Sequence, residues 1–274
     1  MKITILVDDR AGRAGLRSEH GLALWIEAGG RNILFDTGQG GVLENNAREL
    51  GVDLETTGSV VLSHGHYDHT GGLARVLRRA PGAHVYGHPS LVLPRYSVQA
   101  GVARSIAMPV PALAALQRLP ETRLHWLQQP FQLSDRIGLS GPIPRATDYE
   151  DSGGSFCLDP GGRHPDPLDD DLALWLRSPN GLVVCVGCSH AGVVNTLRHV
   201  RRLNQGQKIR AVIGGFHLGN AGPRRLQRTI AALGQLEPDR VVPCHCTGDT
   251  AIDALRRALG KRVAPGTAGM TLQF

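Results

Sequence analysis

Residues 59–69 read SVVLSHGHYDH, and the last six of them, His64-Gly65-His66-Tyr67-Asp68-His69, decide how the rest of the chain is read. Three imidazoles and one carboxylate within six positions make a nitrogen-and-oxygen donor set, suited to zinc, iron or manganese without any thiolate. The apolar run Ser59–Leu62 predicts a buried strand that delivers the motif at its end. A tight turn through Gly65 can then aim His64 and His66 at one ion, leaving Asp68 and His69 on the other side of the turn for a second. Two ions ~3.5–4 Å apart can share a hydroxide and polarise the bond it attacks. The chain has twelve histidines, and a pattern of this kind arises by chance on the order of once per thousand such chains, which sets aside a histidine-rich surface loop.

Outward from the motif, strand-length apolar runs dominate the first third. Lys2–Val7, Gly21–Glu27 and Arg31–Phe35 read as strands, the last two joined at Ala28-Gly29-Gly30 as a hairpin. Val42 to Leu50 has helical spacing and stops at Gly51; Leu73 to Arg79 reads as a helix and Ala83–Tyr86 as a strand. From 89 to 168, prolines interrupt almost every pattern, and the aromatic and aliphatic content points to an ordered insertion or lid rather than a linker. Regularity returns with a hairpin of Asp171–Arg177 and Leu182–Val186 about Pro179-Asn180-Gly181. Alternation follows: helices Val193–Leu203, Arg224–Leu233 and Thr250–Leu259, strands Ile209–Ile213 and Arg240–Val242, and a last strand near Thr271–Phe274. Two strand-rich halves, each followed by strand–helix alternation, predict two packed sheets with helices outside.

Composition removes several classes. Hydrophobic residues are 41% and charged residues 20% of the 274, so the chain can build a core. No apolar run nears the ~20 residues that span a bilayer. Five cysteines are an odd number in a long chain, which argues against a disulfide framework and for a reducing, cytoplasmic setting. The net charge of +6 is carried almost wholly by scattered arginines, with Lys only at Lys2, Lys208 and Lys261. Arg78-Arg79, Arg198 to Arg202 and Arg224-Arg225 fall in predicted helices without interleaved aromatics and read as solvated faces, not as a nucleic-acid arm.

HGHYDHTGG, from His64 to Gly72, resembles the signature of the metallo-β-lactamase-fold superfamily, and ILFDTG at 33–38 resembles that family's strand carrying an aspartate behind the metal ligands. Ser18-Glu19-His20-Gly21-Leu22, GCSHAGVVNTL from Gly187, IGGFHL from Ile213 and CHCTG from Cys244 resemble its dihydropterin-type branch, commonly 7,8-dihydropterin-6-methyl-4-(β-D-ribofuranosyl)aminobenzene-5′-phosphate synthases. The resemblance covers most of the chain and is weak across 89–168. It implies an α/β fold of the αββα four-layer sandwich type, as one domain over residues 1–274, with a dinuclear site.

On this resemblance Asp36 orients a ligand histidine, and His245 matches the family's final histidine, completing the second site with Asp68 and His69. His190 is the expected third ligand of the first site, beside His64 and His66, with the acidic cluster around Asp170 as the alternative. Cys188 falls where a bridging Asp normally stands, so it bridges as a thiolate or water alone bridges. His217 is a general acid, a substrate donor or a ligand, and Glu19 and His20 line the substrate pocket.

The expected chemistry is hydrolysis of a small-molecule ester, phosphoester, lactone or amide by a hydroxide held between two divalent ions, zinc first, iron or manganese as alternatives. Asp68 or His217 handles the proton. A synthase acting on a phosphorylated or pterin-like substrate is the alternative, with Arg95, Arg104, Arg145 or Arg224 clamping a phosphate. A metal-binding sensor or interaction protein with residual hydrolysis is a third reading.

Overall fold

A computed structural model describes all residues, Met1–Phe274. In chain order the first elements are β1 Lys2–Val7, β2 Ala23–Ala28, β3 Arg31–Phe35, α1 Leu43–Glu49, β4 Ser59–Val61, α2 Tyr67–Thr70, α3 Leu73–Arg79 and β5 His84–Gly87. Next come β6 Tyr96–Gln99, β7 Val102–Ser105, α4 Val110–Gln117, β8 Leu124–Trp126, β9 Phe131–Ser134, β10 Ile137–Leu139 and β11 Phe156–Cys157. The chain closes with β12 Ala173–Ser178, β13 Gly181–Val186, α5 Val193–Leu203, β14 Ile209–Gly215, α6 Pro223–Leu236, β15 Arg240–Cys244, α7 Asp249–Leu259 and β16 Thr271–Gln273.

Two compact units result. The first holds Met1–Leu127, Gly154–Asp170 and Thr267–Phe274; the second holds Gln128–Gly153 and Asp171–Gly266. In the first unit a seven-stranded sheet runs β16-β1-β2-β3-β4-β5-β8. Strands β1–β3 pair antiparallel and β3, β4, β5 and β8 pair parallel. The ends of β1, β3 and β4 and the start of β2 therefore share one edge, and that edge receives Asp9, Asp36, the His64–His69 loop and His20. Leu34, Val60, Val85, Leu43, Leu73, Val76 and Leu116 pack the core under it.

In the second unit the sheet order is β15-β14-β13-β12-β10-β9. β13, β14 and β15 are parallel and β12 is antiparallel to β13. The ends of three strands and the start of a fourth again meet at one edge, the place where parallel sheets carry their ligands. Helix α5 shows why this sequence builds it: Val193, Val194, Leu197 and Val200 recur at helical spacing and are buried with Val184, Val212 and Val241, while Arg198 and Arg202 face solvent.

The expected elements are largely present, with two informative differences. Strand β2 begins at Ala23, not Gly21. Gly21 has φ +146°, and a Cβ there would come 2.4 Å from the Asp68 carbonyl oxygen, so this segment packs against the histidine loop before it joins the ladder. The proline-rich 89–168 stretch contains α4, the β6–β7 hairpin with β11 as a third strand, and edge strands of both sheets. Its prolines sit where they do no harm, as with Pro109 at the α4 N-cap and Pro130 just before β9. Among the exposed arginines expected on helix faces, Arg225 is the exception at 4% exposure, paired with Asp151 at 2.6 Å. No helix is long and apolar enough to cross a membrane.

Candidate metal centre

The edge of the first unit gathers the motif. His64, His69 and Asp36 are fully buried, and His66 and Asp68 nearly so. His66 is the N-cap of the single-turn helix α2, which sets Asp68 and His69 in its first turn while His64 stays on the loop after β4. His64 Nε2 lies 3.0 Å from His66 Nδ1, and the His64 and His69 rings are 4.2 Å apart, centre to centre. Three imidazoles packed this closely beside a carboxylate repel one another when protonated. Neutral, their nitrogens form a donor set of the kind that binds borderline cations.

The surrounding residues fix tautomers and orientation. Asp36, in the left-handed region at φ +58° just past β3, places Oδ2 2.7 Å from His69 Nδ1 and accepts from the Ser63 amide and hydroxyl at 2.7 Å each. With Nδ1–H committed to Asp36, the Nε2 lone pair of His69 is the one available for a cation. Asp68 Oδ2 is 3.7 Å from His69 Nε2 and 3.4 Å from His20 Nε2. His20 in turn meets Asp9 at 2.9 Å. The Phe156 ring lies 5.4 Å from that of His66.

Glu19 does not face the motif. Its carboxylate accepts from the amides of Gln39, Gly40 and Gly41 at 2.9–3.1 Å, and burial pushes its carboxyl up against those bonds. Asp170 is likewise occupied. It makes a bidentate pair with fully buried Arg95 at 2.7 and 2.8 Å and accepts from the Gly65 amide at 2.7 Å, so it holds the histidine loop by its backbone. Arg95 also reaches Asp166 at 3.0 Å and the Ser90 carbonyl, which leaves it no fork for a phosphate. A Cβ at Gly65 would lie 2.4 Å from the Leu91 carbonyl oxygen, so the turn needs glycine for room.

At the edge of the second unit, Cys188 and His190 follow β13, His217 follows β14, and His245 and Cys246 follow β15. His190 is fully buried, with Nδ1 3.0 Å from the Ser152 carbonyl oxygen, and its ring is 4.4 Å from that of His217. Asp171 accepts from the Ala191 amide at 2.7 Å, and Glu150 accepts from the Val194 and Asn195 amides at the start of α5. Ser189, His217 and His245 all lie in the left-handed region, at φ +55°, +47° and +47°. Such backbone strain in non-glycine residues clusters where side chains must be re-aimed. The donor atoms of Cys188, His190 and His217 lie within 4.8 Å of one another, as do those of Cys188, His245 and Cys246. Burial raises the Cys246 thiol, but the Cys188 side chain and the His245 and His217 rings outweigh it and hold the thiol well below its usual range.

Several of these residues escaped sequence reasoning. Asp9 was visible only as an acid after a strand, and Asp171 and Ser152 act through backbone groups that carry no motif. Cys246 stood out only within a CxC spacing, which alone signals little.

The sequence model described as the metallo-beta-lactamase superfamily matches residues 17–245. The chain belongs to that superfamily. Uncharacterized protein MJ0448 of Methanocaldococcus jannaschii is 31% identical over 255 residues, covering 92% of this chain and 93% of that one. A second protein of the same organism, named 7,8-dihydropterin-6-methyl-4-(beta-D-ribofuranosyl)-aminobenzene-5′-phosphate synthase, is 28% identical over 261 residues, 90% of this chain and 88% of its own. Among solved structures, Tm1679, titled a metal-dependent hydrolase of the beta-lactamase superfamily, superposes with a TM-score of 0.84 at 30% identity, over 100% of this chain and 99% of that one. The resemblance to the superfamily and to its dihydropterin-type branch, and the α/β fold it implied, are thus established.

Proposed function

We propose that this metallo-β-lactamase-superfamily enzyme is a hydrolase that works with two divalent ions on a small molecule carrying an ester, phosphoester, lactone or amide. The observation that carries the reading is the buried convergence of His64, His66 and His69 with Asp36 behind them. In this reading the two units are halves of one domain, as the family match running through both supports. His64, His66 and His190 hold one ion; Asp68, His69 and His245 hold the other. Asp170 is not a ligand, because its oxygens serve Arg95 and Gly65. Cys188 stands where the family's bridging aspartate normally stands, and either its thiolate or a water alone bridges.

Divalent ions bound there would supply Lewis acidity, lowering the pKa of a coordinated water to ~7. The chain's own work is orientation and proton transfer. Asp36 and the Ser152 carbonyl commit Nδ1 of His69 and His190, which turns Nε2 of each towards the cation. Asp68 or His217 moves the proton, and His20, held by Asp9, faces the substrate side of Asp68. Zinc is the first choice of metal, with iron or manganese as alternatives. No cysteine is in a disulfide, which fits a cytoplasmic setting.

The named synthase relative supports a second reading, a synthase acting on a phosphorylated or pterin-like substrate. For it Arg104 is the better phosphate partner, since Arg145 bonds the His190 carbonyl and Arg224 bonds Asp148. A panel of esters, phosphodiesters, lactones and amides, with and without added metal, tests the hydrolase. His66→Ala should abolish metal-dependent turnover while the chain stays folded, and unchanged activity would refute the two-ion reading. A metal-replete protein that turns over nothing would instead favour a sensor or interaction role.

A further inference from the structure

Strands β13, β14 and β15 run parallel, with Val186 beside Gly214 and Gly215 beside Cys244. Two residues past their ends stand Cys188, His217 and Cys246. The Cys188 sulfur, a ring nitrogen of His245 and the Cys246 sulfur lie within 4.8 Å of one another. The other second-unit cysteines behave differently: Cys185 is enclosed within β13, and the Cys244 thiol donates to the Val242 carbonyl. Cys188 and Cys246 are brought beside histidines.

Local backbone makes this meeting possible. His245 adopts the left-handed region at φ +47°, which turns the chain sharply between Cys244 and Cys246. Gly215 leaves the space: a Cβ there would lie 2.7 Å from the Cys246 sulfur and 3.4 Å from the Cys188 Cα. A side chain at 215 would push Cys246 out of the cluster. Ordinary packing of two thiols does not call for a strained histidine and a missing side chain.

We propose that Cys188 and Cys246 are metal ligands, joining His245 so that the ion it holds also binds two thiolates. The proposal builds on the two-ion reading and names the character of that ion. Two sulfurs and one nitrogen select zinc, cobalt(II) or iron(II) and disfavour magnesium and manganese. Both thiols lose their protons on binding, so loading this position releases protons to solvent.

Cobalt(II) added to the metal-free full chain is the test. A near-ultraviolet sulfur-to-cobalt charge-transfer band should appear. Cys246→Ser should remove about half of it and Cys188→Ser with Cys246→Ser all of it, because the band counts thiolate ligands. His66→Ala should leave the band in place while abolishing turnover, which separates this proposal from the reading beneath it. Should Cys188→Ser fail to fold, the wild-type chain gives the answer by thiol titration. Cys246, the partly exposed cysteine, should react with an aromatic disulfide reagent in the metal-free protein, and zinc but not manganese should block it. Cobalt-loaded protein without the band, a band indifferent to both serines, or a Cys246 equally reactive with and without zinc would overturn the proposal. Two bound ions and intact turnover without the band would leave the hydrolase reading standing on nitrogen and oxygen ligands alone.

Discussion

Arg95 should be indispensable for stability although it carries no chemistry. Its guanidinium is fully buried, with Nη1 and Nη2 at 2.7 and 2.8 Å from the two oxygens of Asp170 and Nε at 3.0 Å from Asp166. Arg95→Met keeps the aliphatic bulk and deletes the cation, leaving two buried carboxylates facing each other. Removing one partner of a buried ion pair costs about 3–5 kcal/mol, a large share of the ~5–15 kcal/mol that holds a domain folded. Urea unfolding near neutral pH reads this directly. The pH dependence then identifies the cause. Burial raises the Asp166 carboxyl and Arg95 opposes it, so with the cation gone its folded pKa rises further above the unfolded ~3.9. Stability is lost as pH rises through such a raised value. The deficit of Arg95→Met should therefore shrink as the pH falls towards about 4, and Asp170→Asn added to it should recover part of the loss. A cost under about 1 kcal/mol, or a deficit equal at both pH values, would refute the argument.

Three further outcomes follow from the same contacts. Asp36→Asn removes the anion behind His69 and should weaken metal affinity about 10–100-fold, read by competition with a chromophoric chelator. Gly65→Ala brings a Cβ to 2.4 Å from the Leu91 carbonyl oxygen, so melting temperature and metal binding should fall together; unchanged binding would show that the turn has slack. Burial lowers the pKa of His199, whose Nε2 faces the Ser140 carbonyl. The folded chain then holds fewer protons than the unfolded chain just below the unfolded value of 6.5, and stability is lost as pH falls through that window. His199→Asn should flatten the slope of unfolding free energy against pH there; a slope no shallower than wild type would contradict it.

Much of the fold was legible because its signals are local. Lys2–Val7, Leu73–Arg79 and Val193–Leu203 appear with the boundaries their apolar periodicity predicts. The 89–168 stretch was not, because its strands are two to four residues long and owe their existence to neighbours distant in sequence, as Phe156–Cys157 does to Tyr96 and Ser97. The donor-bearing residues were legible where chemistry concentrates them, in His64–His69 and around His190 and His245. What supports those residues was not. Asp170 read as a candidate ligand in an acidic run, yet it staples the Gly65 amide, and its neighbour Asp171 staples the Ala191 amide. A carboxylate that serves a backbone N–H leaves no spacing in the sequence, since its partner can be any residue. Cys246 was missed because its meeting with Cys188 depends on a left-handed His245 and an empty Gly215, neither of which is a motif.

Elemental analysis of metal per chain, on protein purified without a histidine tag, bears most directly on the central claim. The account predicts close to two ions of zinc, iron or manganese per chain. A single ion, or none after loading with excess metal, would contradict it.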